Sequence, residues 1–108
     1  MIREEIEKII EEVRGRVIEW RRYFHQYPEL SFHEIKTAEK ISEILSGFGN
    51  LEISRPAQNS VVADLEGAGE GKTLAIRSDI DALPIREENE FEFSSKNPGV
   101  MHACGHDG

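Results

Sequence analysis

An α/β or α+β layered fold, two helices followed by a mixed β-sheet, is what the order of hydrophobic patterns in this chain predicts. Three observations carry the prediction. Apolar residues recur every three or four positions through the first 48 residues, the spacing of one helix face. Short β-branched runs replace that period from Leu51 onward. A glycine-rich turn, Glu66-Gly67-Ala68-Gly69-Glu70-Gly71, then separates two such runs. Helices first and strands second suggest a layered domain with helices packed on a sheet.

The first helix is expected over residues 2–24, where Ile2, Ile6, Ile9, Val13, Val17, Trp20 and Phe24 form one apolar stripe. Glu4/Lys8 and Glu12/Arg16 have favourable i,i+4 spacing on the wet face. Gly15 weakens the middle by about 1 kcal/mol relative to alanine. The stretch His25–Pro28 ends the helix, because proline pushes the preceding residue out of helical geometry. A second helix follows. Ser31 and Glu34 have the spacing of a capping box, and Leu30 and Ile35 that of a hydrophobic staple. Its inner face is Ile35, Ala38, Ile41, Leu45 and Phe48, with Gly47 or Gly49 as the stop. Leu51–Ser54, Ser60–Leu65 and Thr73–Arg77 are the expected strands. The apolar middle of the last one predicts burial on both faces.

Composition excludes several functions. The chain has 108 residues with 38% hydrophobic content, enough for one small folded unit. Its net charge of −8 opposes nucleic-acid binding, which needs a basic surface. The acid excess is local: residues 1–22 hold six acids and six bases, whereas residues 79–92 hold six acids and one arginine. No run approaches the ~18 apolar residues of a membrane span. The charged N-terminus lacks the apolar segment of a secretory signal. One cysteine cannot form an internal disulfide, so a reducing cytoplasm is the expected compartment.

The residues that bear chemistry cluster at the end. His102-Ala103-Cys104-Gly105-His106-Asp107-Gly108 places two histidines, the only cysteine and a carboxylate within six positions. In an extended segment Cys104 and His106 would share a face, roughly 6.5–7 Å apart. They would then aim at one metal, or at each of two metals about 3.5–4 Å apart. A thiolate beside imidazole and carboxylate favours metal ligation. A buried structural thiol and a nucleophilic cysteine remain as alternatives. Asp79 and Asp81 follow the third expected strand, at the kind of strand end where ligands gather. They could bind a hard cation, orient a metal-bound histidine or act as acid and base. His25 precedes the proline turn, and His33 is expected to be exposed. No further ligand follows Gly108, so the site is completed elsewhere or the chain is the front of a longer protein.

Three blocks then carry a resemblance. Arg22 through Glu34 with Lys36-Thr37-Ala38, Arg77-Ser78-Asp79-Ile80-Asp81-Ala82-Leu83-Pro84, and Met101 through Asp107 resemble the aminoacylase/carboxypeptidase group of dinuclear metallopeptidases. That group includes hippurate hydrolases, N-acetyl-diaminopimelate deacetylases and auxin-conjugate amidohydrolases. The likeness covers nearly all of residues 20–108. It implies a zinc-peptidase-like catalytic domain of which residues 1–108 are the N-terminal portion, with the rest of that domain and a lid/dimerisation domain missing.

The resemblance also implies roles. Cys104 and His106 match metal ligands. Asp81 matches an aspartate that orients a ligand, and Asp79 stands where more distant relatives carry a histidine. His102 and Asp107 match the motif in a supporting role. Two divalent ions (zinc, manganese or cobalt) and a small N-acyl amino acid or peptide-like substrate are implied, in a parent enzyme that can be a homo-oligomer. The family's general-base glutamate lies in a downstream Glu-Glu pair, beyond these residues, so the isolated chain is expected to be inactive. A thiol hydrolase using Cys104, and a non-catalytic interaction module acting through the first helix, are the competing classes.

Overall fold

Helix α1 runs over Ile2–Gln26 in the computed structural model, which describes residues 1–107. It continues one turn-fraction past the expected end and stops at Tyr27, one residue before Pro28. Its stripe is only partly used. None of its residues is buried, and Ile2, Ile6, Ile9 and Val17 all stay exposed, whereas Trp20, Phe24 and His25 at the other end are half-buried. The expected i,i+4 pairs are replaced by neighbours on the same surface: Arg3 Nε lies 2.9 Å from Glu7, and Glu4 meets the N-terminal amine at 3.4 Å. These pairs are exposed, where water and rotamer entropy leave such contacts worth little.

Helix α2 spans Ile35–Ser46. Its cap differs from the expected capping box. Ser31 lies outside the helix because a turn intervenes, with Phe32 at a φ of 67° and the His33 amide bonded to Leu30 O at 2.9 Å. The unpaired first-turn amides go instead to Glu29. Its carboxylate accepts from Thr37 N at 2.6 Å, from Thr37 Oγ1 at 2.7 Å and from Lys36 N at 3.4 Å. The staple is also not formed as expected, since Ile35 is half exposed and Leu30 pairs with Ala82. Of the expected inner face, Ala38 is fully buried, Ile41 and Leu45 are half-buried, and Phe48 packs edge-on against Trp20 at 5.8 Å.

After Gly49 and Asn50, both at positive φ, strand β1 (Leu51–Ser54) pairs antiparallel with β2 (Val62–Leu65), Leu51 opposite Leu65 and Ser54 opposite Val62. Alternation along β1 turns Leu51 and Ile53 toward α2. Outside this two-stranded sheet lie two isolated bridges, Leu30 with Ala82 in parallel and Leu83 with Met101 antiparallel.

Thr73–Arg77 is a correction. It forms no strand, and Leu74 and Ile76 are 85% and 89% exposed rather than buried on both faces. A central strand exists only between neighbours, and no strand among the described residues flanks this one. The tightly packed part of the molecule is therefore small: Pro28, Ala38 and Ala82, where the proline turn, α2 and the chain after Asp81 meet. The accessible surface is 9189 Å², against about 6,100 Å² expected for a folded chain of this mass. The radius of gyration is 16.0 Å, against about 13 Å for a compact chain of this length. No helix among the described residues is long and apolar enough to cross a membrane.

Candidate metal centre

The site is assembled from the Pro28–Leu30 turn outward. Ala82 N donates to Glu29 O at 2.7 Å, fixing the chain that follows Asp81. Leu83 and Met101 then exchange two backbone bonds, at 2.9 and 3.0 Å. That antiparallel register sets His102 next to the paired position and leads the terminal segment back along the residues preceding Ala82.

The terminal segment is not extended, which corrects the period-two expectation. Gly105–Asp107 is a turn of 3-10 helix. Asp107 caps it, its Oδ2 accepting from Cys104 N at 3.1 Å while its own amide bonds to Cys104 O at 3.1 Å. The tighter winding brings Cys104 Sγ within 3.7 Å of His106 Nδ1. Cys104 is a free, exposed thiol. His102 Nδ1 lies 3.8 Å from Asp107 Oδ2, with only 12% of its side chain exposed, and its Nε2 is buried without a partner among the described residues. Burial holds the His102 imidazole below the usual histidine range. The charge of His25 lowers it further, while Asp107 and Asp81 pull in the opposite direction.

The two upstream aspartates part company. Asp79 is exposed and pairs with Arg77 at 2.9 Å. Asp81 is half-buried and lies close enough for its charge to act on His102. An open cleft of about 850 Å³ runs between α1 and the terminal segment. His102, Cys104, His106 and Asp107 line it on one side, and Trp20, Phe24, His25 and Phe93 on the other. Asp79 reaches this cleft, whereas Asp81 borders a second one beside α2. His33 is exposed, as expected.

The donor set fits a metal in part. Tetrahedral zinc with bonds of about 2.3 Å to sulfur and 2.0–2.1 Å to nitrogen holds those atoms about 3.6 Å apart, close to the 3.7 Å between Cys104 and His106. Among the described residues no group of three or more histidine, cysteine or acidic side chains is arranged around one point. The chain thus presents two donors and not a closed set.

Two polar features were not legible in the sequence. Glu29 caps α2 from six residues upstream of the helix start. His25 Nε2 donates to Glu87 Oε2 at 2.7 Å across 62 residues of sequence, with both side chains largely buried. Pro-Glu-Leu and the pre-proline histidine marked one partner of each contact, but nothing marks Glu87 within its acidic run.

Residues 75–108 match the peptidase family M20/M25/M40. The resemblance to the aminoacylase/carboxypeptidase metallopeptidases is borne out, and it extends over the whole chain. An N-acyl-L-amino acid amidohydrolase of Geobacillus stearothermophilus is 60% identical over 108 residues, all of this chain and 29% of the relative. A solved structure from methicillin-resistant Staphylococcus aureus superposes with a TM-score of 0.89 at 46% identity, covering 99% of this chain and 28% of that one. The Bacillus subtilis YXEP protein, described as a dinuclear metal binding peptidase from the M20 family, matches with a TM-score of 0.83 at 43% identity, over 90% of this chain and 28% of its own. The chain spans less than a third of the length of these relatives.

Proposed function

We propose that residues 1–108 are the N-terminal portion of the catalytic domain of a metal-dependent amidohydrolase that cleaves the amide bond of N-acyl amino acids or related conjugates. The observation that carries this reading is the 3.7 Å approach of Cys104 Sγ to His106 Nδ1 in a turn capped by Asp107. The excess of exposed surface, with Leu74 and Ile76 almost fully in water, supports a larger domain of which this is one part.

Cys104, as thiolate, and His106 would hold metal. A pair of divalent ions, when bound, supplies Lewis-acid polarisation of the amide carbonyl and lowers the pKa of water. Thiolate ligation favours zinc, and carboxylates admit manganese or cobalt. Asp107 keeps the two donors together by holding the Cys104 amide. His102, packed against Asp107, supports that carboxylate from behind. Asp81 orients the same group of side chains, and Asp79 keeps its place at the edge of the cleft. The general-base glutamate belongs outside these residues, so the 108-residue chain alone is inactive. A cytoplasmic location suits an exposed thiol kept reduced for ligation.

The test measures hydrolysis of N-acetyl-methionine and hippurate by the full-length protein and by the 108-residue chain, each stripped of metal and then reloaded. Metal-dependent activity in the full-length protein alone is expected, with Cys104→Ser reducing metal affinity at least 100-fold, beyond the loss typical of residues that only support a ligand. Hydrolysis that survives complete metal removal and is abolished by thiol alkylation would overturn the reading in favour of a cysteine nucleophile.

A further inference from the structure

Glu87 lies in a run of acids whose other members after it, Glu88, Glu90 and Glu92, are exposed, yet its own side chain is 5% exposed. A carboxylate removed from water is costly unless it is fully bonded. Here it is. Oε2 accepts from His25 Nε2 at 2.7 Å and from Asn89 Nδ2 at 3.2 Å, and Oε1 accepts from the Ser95 amide. The ring of Phe93 stands edge-on to His25 at 5.9 Å, closing the pair on one side.

These bonds lead to the metal-site segment. Ser95 Oγ donates to Val100 O at 2.7 Å, immediately before Met101. Lys96 N donates to Gln26 O at 2.9 Å and Asn97 Nδ2 to Pro28 O at 2.6 Å, so the same arm is tied to the end of α1. Met101 is held from the other side by Leu83. His102, the next residue, shares a cleft with His25. The chain enters the terminal segment along a path fixed at Val100 by Ser95 and at Ser95 by Glu87.

We infer that Glu87 is a positioning residue: by holding His25 and the Ser95 amide together, it sets the direction in which Met101 delivers the terminal segment, and so the aim of Cys104 and His106. The inference rests on the proposed metal-site reading. A purely structural ion pair would contribute to stability and leave the donors unmoved.

The experiment uses the full-length protein, stripped and titrated with cobalt(II), reading the dissociation constant and the thiolate-to-cobalt charge-transfer absorption, with thermal unfolding of the metal-free protein alongside. Wild type is expected to show the band and Cys104→Ser to lose it. Glu87→Ala should weaken cobalt binding about 10–100-fold, the usual loss for a group that supports ligands from behind, and alter the band. Glu87→Gln, which keeps an acceptor for the Ser95 amide, should recover most of the affinity. Asn59→Ala cuts bonds to Phe32 O and Glu34, neither of which belongs to this arm; it should lower the unfolding temperature and leave cobalt binding unchanged. Should Glu87→Ala fail to fold, His25→Ala reads the same contact and is expected to weaken cobalt binding in the same direction. A Glu87→Ala or His25→Ala protein that unfolds earlier but binds cobalt with wild-type affinity and spectrum overturns the inference and spares the metal site. A Cys104→Ser protein that keeps the band overturns the site itself and the inference with it.

Discussion

Two stretches lead into the candidate site, and they differ in how they are held. The arm from Leu83 to Met101 is pinned at both ends and in the middle, by paired backbone bonds, by Glu87 and by the Asn97–Pro28 contact. Among the described residues the arm from Gly67 to Asp79 has no comparable tie; Leu74 and Ile76 face water, and Asp79 pairs with Arg77 beside it. Order in the first arm comes from polar contacts that this chain makes with itself. The second arm carries a strand's sequence without a strand's neighbours among the described residues, so its apolar side chains stay in water. The terminal turn inherits its placement from the pinned arm, and Asp79 remains at the edge because its own arm does not fix it.

The largest effect that would break this contrast is proteolytic. Trypsin should cut the 108-residue chain after Arg77, in the untied arm, well before it cuts after Lys96, whose amide is bonded to Gln26. In the full-length protein the Arg77 site should become resistant, because under the proposed reading the rest of the larger domain covers Leu74 and Ile76. Mass spectrometry of a short digestion series reads both rates. Equal rates at the two sites in the short chain would show that the pinned arm opens as readily as the other.

This contrast also marks where the sequence was readable. Helix periodicity located α1 and α2 closely, and β1 fell at its expected bounds, because each is decided by side chains within one turn or one pleat. The residue cluster at Cys104–Asp107 was equally plain, being local. What could not be read depends on contacts between distant residues. Glu29 takes the role assigned to Ser31 because a left-handed Phe32 shifts the helix start. His25 finds Glu87 only through the fold. The Thr73–Arg77 pattern misled because burial of a strand depends on neighbouring strands, and among the described residues none flanks it, so Leu74 and Ile76 stay in water.

A smaller effect is expected at the packed junction. Ala82 is 3% exposed where its backbone meets Glu29 and Leu30. Ala82→Leu forces extra carbons into that contact and should cost about 1–3 kcal/mol in the full-length protein, read from urea unfolding. Because Ala82 precedes the Leu83–Met101 bridge, the same substitution should also weaken cobalt binding. Full stability with unchanged binding would mean that the proline turn does not set the pinned arm.

The smallest effect is a pH dependence lodged in that arm. Burial alone would raise the Glu87 pKa, but the Ser95 amide, the His25 imidazole and the Asn89 amide bond its charged form, and together they hold it below the ordinary glutamate value of 4.5. The unfolded chain, without these bonds, takes up the proton first as the solution is acidified. Glu87 therefore adds stability that is complete above pH 4.5 and is lost as the pH falls below it through the lowered folded value. Glu87→Gln removes this titration while keeping the shape of the side chain. Unfolding midpoints of wild type and Glu87→Gln, measured from neutral pH downward, should keep a constant separation and then converge in the acid range. A separation that stays constant through that range would mean that the carboxylate's charge is not what ties α1 to the arm.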